Sequence, residues 1–227
     1  MSLTQNITRI KAVHHALEEL ADKVVFLGGA TVALYADRSF SEARPTEDVD
    51  MIVEVVSYTD YAQIEEQLRG KGFINDITSG VICRYIIQGI IVDVMPSIDK
   101  VLGFGNRWYT EAFTNAMAVE LDERISVKIF SPVYFMAAKL EAYKNRGGND
   151  GRTSTDFEDI VFLLNKRSTI WDELQTAPFH VKEHLIKTWR LLLKEPHLEE
   201  WISCHLDFEE QRRVNYIMAG LHSFTEQ

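Results

Sequence analysis

Cysteine is almost missing from this chain: Cys83 and Cys204 are the only two among 227 residues. Two distant thiols cannot build a disulfide framework, and they offer no metal-ligand spacing. Both are expected as small buried residues. No run approaches about 18 uninterrupted apolar residues, which excludes a membrane-spanning helix. The N-terminus, MSLTQNITRIKAVHHALEEL, lacks the basic start and solid apolar core of a signal peptide, so a cytoplasmic location is expected. Positive charge is also short. With 24 Lys and Arg against 34 Asp and Glu, the formal charge is −10, which argues against a broad nucleic-acid footprint while leaving room for a local basic patch. No internal repeat or low-complexity tract occurs.

What remains is an ordinary globular composition, 46% hydrophobic and 26% charged, long enough for one large domain or two small ones. Ile7, Ile10, Val13, Leu17 and Leu20 recur at helical spacing and predict an amphipathic helix over 5–22. The run KVVFL (23–27) reads as a strand ending at Gly28-Gly29, with a short helix over 30–36 and a polar loop over 37–47. Residues 48–56 predict a second strand and 58–69 a helix stopped by Gly70 and Gly72. Strands over 81–87 and 90–95, separated only by Gln88-Gly89, predict an antiparallel hairpin. Short strands are expected at 118–121 and 126–130. After Ser131-Pro132, a sound helix start, only helices follow. The fold class expected is α/β (α+β), a small mixed sheet with flanking helices over 1–130, followed by a helical domain over 131–227.

Chemistry concentrates between Phe26 and Val53. Strand alternation puts Asp48 and Asp50 on one face, with Val49 and Met51 on the other. Side-by-side carboxylates on a buried strand repel each other, and a divalent cation between them removes the cost. Hard oxygen ligands suit Mg²⁺ or Mn²⁺. Asp93 lies at the centre of the apolar run IIVDVM and completes the cluster if the 81–95 hairpin pairs beside the 48–56 strand. The bland alternatives are strand-end acids capping a loop and, for Asp93, a buried acid satisfied by an arginine such as Arg84. Gly28-Gly29 would let phosphate approach the backbone at a helix start, although a Gly-Gly pair alone is also an ordinary turn.

The strand–Gly28-Gly29–helix unit, the Asp48-x-Asp50 pair and the later strand Asp93 resemble the DNA polymerase beta-like nucleotidyltransferase superfamily. The run Arg44-Pro45-Thr46-Glu47-Asp48-Val49-Asp50 resembles the AbiEii/AbiGii toxin-type nucleotidyltransferases. KLEAYKNR (139–146) followed by Asp156-Phe157-Glu158-Asp159 is similar to that group's helical-domain pattern. The resemblance spans residues 24–165. Two departures stand out: nineteen positions separate Gly29 from Asp48, an enlarged loop, and Gly29 stands where many active relatives carry serine, with Thr31 as a substitute hydroxyl.

The resemblance implies transfer of a nucleoside monophosphate from an NTP to an acceptor hydroxyl with two divalent metals held by Asp48, Asp50 and Asp93. It implies Gly28, Gly29, Arg44, Thr46, Lys139 and Arg146 at the nucleotide. The acceptor would be a tRNA end, a protein or a small molecule, and an antitoxin protein is a candidate partner. Lys139 and Arg146, two turns apart, would face triphosphate oxygens or simply form a solvated helix face, and Arg146 before Gly147-Gly148 also suits a helix C-terminus. Asp156 and Asp159 suit the start of a helix capped by Thr155, or orient Lys139 or the acceptor. His14-His15 and the aromatics Trp108, Tyr109, Tyr134 and Tyr143 read as structural. The alternatives to an enzyme of this type are a non-catalytic nucleotide-binding regulator on the same fold and, without the usual His-rich metal site, a phosphohydrolase.

Overall fold

The computed structural model describes residues 2–38, 43–98, 100–103, 105–146 and 150–226, with side chains from Gln5 onward. The chain divides into two units, Met1–Leu34 with Glu42–Ser131, and Tyr35–Ser41 with Pro132–Gln227. Among the described residues no helix is long and apolar enough to cross a membrane.

The first unit opens with α1 (Ser2–Leu17). Its buried face is Asn6, Ile10, Val13 and Leu17, all fully enclosed, at the four-three-four spacing of an amphipathic helix. It packs against β2 (Asp48–Val53) and β5 (Ile90–Pro96). The helix stops five residues earlier than the hydrophobic spacing predicts, because Glu18 takes a positive φ of 51° and the chain continues as a 3-10 helix, Glu18–Lys23. Leu20 is buried all the same.

Every residue of β1 (Val24–Leu27) is buried. A 3-10 helix, Gly29–Tyr35, follows it. After β2 comes α2 (Tyr58–Gly70), capped by Ser57, whose hydroxyl accepts from the Asp60 amide. Next are β3 (Ile74–Asn75), β4 (Arg84–Ile87), β5, α3 (Tyr109–Thr114), β6 (Met117–Glu120) and β7 (Ser126–Ile129). They form one mixed seven-stranded sheet in the order β3-β4-β5-β2-β1-β7-β6. The β2–β5 and β1–β7 pairs are parallel, and the rest antiparallel. Neither β3 nor α3 is visible in the sequence pattern, since two residues and six residues are too short to show a period. The predicted 81–87 strand shortens to β4. Gln88 and Gly89 both take positive φ, 51° and 79°, as a two-residue type I′ hairpin requires.

The second unit holds α4 (Pro132–Asn145), α5 (Thr155–Lys166), α6 (Ile170–Gln175), α7 (Phe179–Leu192), α8 (Leu198–Cys204) and α9 (Arg213–Thr225). Helix α4 packs against α5, α6 and α7, and α9 against α5 through α8. Burial on nearly every side of α4 marks it as the central helix. The segment from Tyr35, the last residue of the 3-10 helix after β1, belongs here: Tyr35 meets Phe135 at a tilt with ring centres 4.7 Å apart, Arg167 donates to the Tyr35 carbonyl, and the Ser168 hydroxyl donates to Asp37. Residues 39–42 of the predicted 37–47 loop lie outside the described residues. The N-cap of α5 is Ser154, which accepts from the Phe157 amide at 3.2 Å, in place of the expected Thr155. Cys83 is buried as expected, but Cys204, at the end of the short α8, is exposed.

One polar group interrupts the core of α4. Lys139 is only 8% exposed, with its ammonium 3.0 Å from Asp156 Oδ1 and 2.6 Å from Asp159 Oδ2. Burial alone would lower the lysine pKa, but the two carboxylates outweigh it and hold the ammonium above its usual range, and therefore charged. Arg146 adds an outer contact, Nη1 to Asp156 Oδ2 at 3.1 Å, from a side chain 72% exposed. Removing one partner of a buried ion pair strands the others. Lys139→Ala is therefore expected to cost about 3–5 kcal/mol in urea unfolding, against roughly 0–1 kcal/mol for Arg146→Ala. Equal midpoints for Lys139→Ala and the wild type would remove this network from the account of what joins α4 to α5.

Candidate active site

The sheet register builds the site. Asp50 in β2 lies between Leu27 of β1 and Asp93 of β5, and Asp93 in turn lies opposite Arg84 of β4. Cross-strand partners share a face, and Asp48, two residues before Asp50, shares it too. Ligand oxygens of Asp48, Asp50 and Asp93 all come within 4.8 Å of one another. Asp48 and Asp50 are half-buried and Asp93 is buried. The parallel pairing of β5 beside β2 is what brings Asp93 to the Asp48-x-Asp50 pair.

Like charges directly opposite each other in a sheet are destabilising. Arg84 answers part of that repulsion. Its Nε and Nη2 each lie 2.8 Å from a different oxygen of Asp93, a two-pronged hydrogen bond, and Nη2 lies 3.5 Å from Asp48 Oδ2. These carboxylate contacts raise the guanidinium pKa further, the Asp93 hydrogen bonds most of all. The converging oxygen donors of Asp48, Asp50 and Asp93 fit a divalent cation. The neighbouring Cys83 thiol is pushed up to about 11, first by burial and then by the charge of Asp93, so it stays protonated and is a poor ligand or nucleophile at neutral pH.

The glycine turn lies against this cluster. Gly28 has φ +74°, and a Cβ there would stand 1.9 Å from Asp50 Oδ2. A side chain at this position therefore meets both backbone strain and a carboxylate. At Gly29 a Cβ would stand 2.5 Å from Arg44 Nη2 and 2.8 Å from Thr46 Cγ2, so the bare backbone admits the Arg44 guanidinium. Thr31 does not act as the spare hydroxyl. It is 1% exposed, and its Oγ1 donates to the Gly28 carbonyl at 2.9 Å. Its amide bonds the same carbonyl at 3.2 Å. Thr31 closes the turn from inside.

Two residues outside the sequence-derived set brace the approach to β2. Asn6 of α1 donates from Nδ2 to the Arg44 carbonyl at 3.1 Å and accepts from the Thr46 amide at 3.2 Å. Arg9 Nη1 donates to the Thr46 carbonyl. Thr46 Oγ1 donates to the Asp48 carbonyl at 3.0 Å, which ties the turn to the start of β2. The signal for Asn6 was available: an amide four residues before Ile10, on the buried face of an amphipathic helix, needs partners.

Lys139, Arg146, Asp156 and Asp159 come together in the helical unit as the ion network described above. Neither an open phosphate-facing stripe nor a solvated face describes Lys139, whose ammonium is enclosed between two aspartates. Asp156 and Asp159 hold the Lys139 ammonium within the helical unit. Gly147 and Gly148 lie outside the described residues. Trp108, Tyr134 and Tyr143 are core residues, and Tyr109 is half-buried against Phe130.

No protein-family model matches the chain, and no curated protein sequence does. Among solved structures it is similar to an antigenic nucleotidyltransferase-like protein from Paracoccidioides brasiliensis, with a TM-score of 0.53 at 18% identity, over 90% of this chain and 94% of that one. At that identity the likeness is one of fold: a mixed sheet with flanking helices of nucleotidyltransferase type, and further helices after it.

Proposed function

We propose that this chain is a metal-dependent nucleotidyltransferase of the DNA polymerase beta-like superfamily and of its AbiEii/AbiGii-type group. It would transfer a nucleoside monophosphate from an NTP to an acceptor hydroxyl. The observation that carries the reading is the convergence of Asp48, Asp50 and Asp93 within 4.8 Å, beside a glycine turn that has no room for a side chain. In the reaction the acceptor oxygen bonds the α-phosphorus, the bond from that phosphorus to the bridging oxygen breaks, and pyrophosphate leaves. The hydroxyl proton passes to a carboxylate of the cluster or to solvent.

The carboxylates would hold Mg²⁺ or Mn²⁺. When bound, such an ion supplies positive charge to phosphate oxygens and makes a hydroxyl more acidic. Gly28 keeps the turn open beside Asp50, and Arg44, seated on Gly29, is the candidate phosphate contact. Asn6 and Arg9 hold the Arg44–Thr46 segment and so fix where that guanidinium starts. Lys139, Asp156 and Asp159 brace the helical unit itself. An RNA end, a protein or a small molecule would be the acceptor, and an antitoxin protein is the proposed partner.

A second reading, a nucleotide-binding regulator without transfer, draws on one observation. Both oxygens of Asp93 are engaged by Arg84, which leaves fewer lone pairs for an acceptor's proton. The two readings separate in one experiment. The purified protein, NTPs labelled in the α-phosphate, Mg²⁺ and a cell extract should yield a labelled acceptor. Asp48→Asn and Asp50→Asn should each lower the labelling at least about a hundredfold, since metal charge contributes several kcal/mol. Near-native labelling by either variant would sink the assignment. Saturable NTP binding with no labelled acceptor would favour the regulator.

The glycine turn gives a separate expectation. Gly28→Ala should destabilise by about 1–2 kcal/mol from its positive φ alone, and by more from the collision with Asp50. In an Asp50→Ala background the collision disappears, so the cost should fall back toward the backbone value. An unchanged cost in both backgrounds, measured by urea unfolding, would mean that Gly28 and Asp50 do not touch.

A further inference from the structure

We propose that Ile91, Ile86 and Ile74 form the acceptor subsite and seat the apolar body of a small hydroxyl compound. This rests on the transferase reading above and narrows its three acceptor classes to one.

Sheet register sets the three side chains in line with the acids. Asp48 of β2 lies beside Ile91 of β5, Ile91 opposite Ile86 of β4, and Ile86 opposite Ile74 of β3. Cross-strand partners share a face. The row therefore continues the face that carries Asp50, Asp93 and Arg84, two residues further along each strand. The opposite face is closed: Val49, Val92 and Tyr85 are fully enclosed, and the Tyr85 hydroxyl donates to Glu65 of α2 at 2.7 Å. Along the isoleucine row the acid-bearing face is open, with Ile91 and Ile86 half-buried and Ile74 68% exposed. Strands with one face in the core normally put polar residues on the other. Three aligned isoleucines make a strip there instead, and contiguous apolar surface marks a binding groove where scattered residues do not.

Size, charge and position name the occupant. Neighbouring strands stand about 4.8 Å apart, so the strip from Ile91 to Ile74 spans ~10 Å, the length of a small ring system. No member of the strip is cationic, and the guanidinium beside it on β4, Arg84, is committed to Asp93 by two hydrogen bonds. Phosphates of an RNA acceptor would find no counter-charge on the isoleucines. The strip begins at Asp48, so a body lying on it holds its hydroxyl end over the acids. The Gly28-Gly29 turn adjoins Asp50 from the other side, that of β1, which leaves that side to the NTP phosphates.

The test reads acceptor and strip separately. Protein, α-labelled NTP, Mg²⁺ and a cell extract are incubated, and the label is followed into RNA, protein and small molecules retained on a reversed-phase column. The label should enter the small-molecule fraction. For the acceptor purified from it, Ile86→Ser and Ile91→Ser should raise KM at least about tenfold, the effect of losing a few buried methylenes. The NTP KM should stay unchanged. Without NTP, titration with prodan, a neutral naphthalene dye, should show saturable binding that either variant weakens by about fivefold or more. Ile77→Ser is the control and should bind the dye as the wild type does, because Ile77 is 89% exposed but lies outside the row. If a row variant does not fold by circular dichroism, Ile74→Ser at the exposed edge replaces it. Label on RNA or protein would overturn the proposal and leave the transferase reading intact. Equal dye binding by wild type and row variants would also overturn it, as would a dimer in sedimentation that Ile86→Ser dissolves. No label in any fraction would remove the transferase reading and the acceptor role with it. A dye titration still responsive to Ile86→Ser would then leave the row a binding site, which separates the two failures.

Discussion

Repulsion between Asp50 and Asp93, placed side by side on adjacent parallel strands, is the constraint around which the first unit is arranged. Such a pair is unfavourable in a sheet, and Asp48 on the same face makes it worse. The strands stay paired because their other positions are among the most buried in the molecule. Val49, Met51 and Ile52 on β2, and Val92 and Val94 on β5, are fully enclosed. Apolar burial on this scale, about 1.5–3 kcal/mol for each large side chain, offsets the repulsion and fixes the register. A slip of one residue would turn the acids away from each other and carry the apolar set out of the core.

The features around the acids follow from that arrangement. Arg84 reaches Asp93 because the hairpin turn sets their register. Gly28 is bare because Asp50 Oδ2 takes the space a side chain would need. The segment leading into β2 is held from the far end of the sequence by Asn6 and Arg9 of α1. A long loop would otherwise deliver Arg44 and Thr46 imprecisely. Buried hydrogen bonds to their backbone are a means of holding them without adding charge to an acidic site.

Much of this was legible in the sequence, for identifiable reasons. Alternation in DVDMIV assigned the two faces of β2. The Gln88-Gly89 pair announced a two-residue hairpin, and counting back from it sets Arg84 opposite Asp93. The parallel register of β5 on β2 was not legible, because no turn joins those strands and only tertiary packing aligns them. Lys139 and Arg146, seven residues apart, have the spacing of a surface stripe. Burial of Lys139 depends on where α5 brings Asp156 and Asp159, which no local pattern reports. The early end of α1 has a similar origin. Glu18 adopts a conformation its residue type disfavours, while the hydrophobic spacing runs on to Leu20.

The two charged clusters of this protein solve the same problem to different degrees, and the difference separates structure from chemistry. In the helical unit, Lys139 and Arg146 face Asp156 and Asp159, two positive groups against two negative ones. Formal charge closes at zero, the lysine is enclosed, and a further ion would gain little there. On the sheet, Arg84 holds Asp93 while the carboxylates of Asp48 and Asp50 stay half-buried, beside a turn without side chains. A buried network that closes stabilises its own fold. Oxygen donors that converge on a face solvent can reach remain open to a cation. That accessibility, more than the presence of three acids, is the physical reason to read the sheet cluster as a binding site and the helical one as a brace.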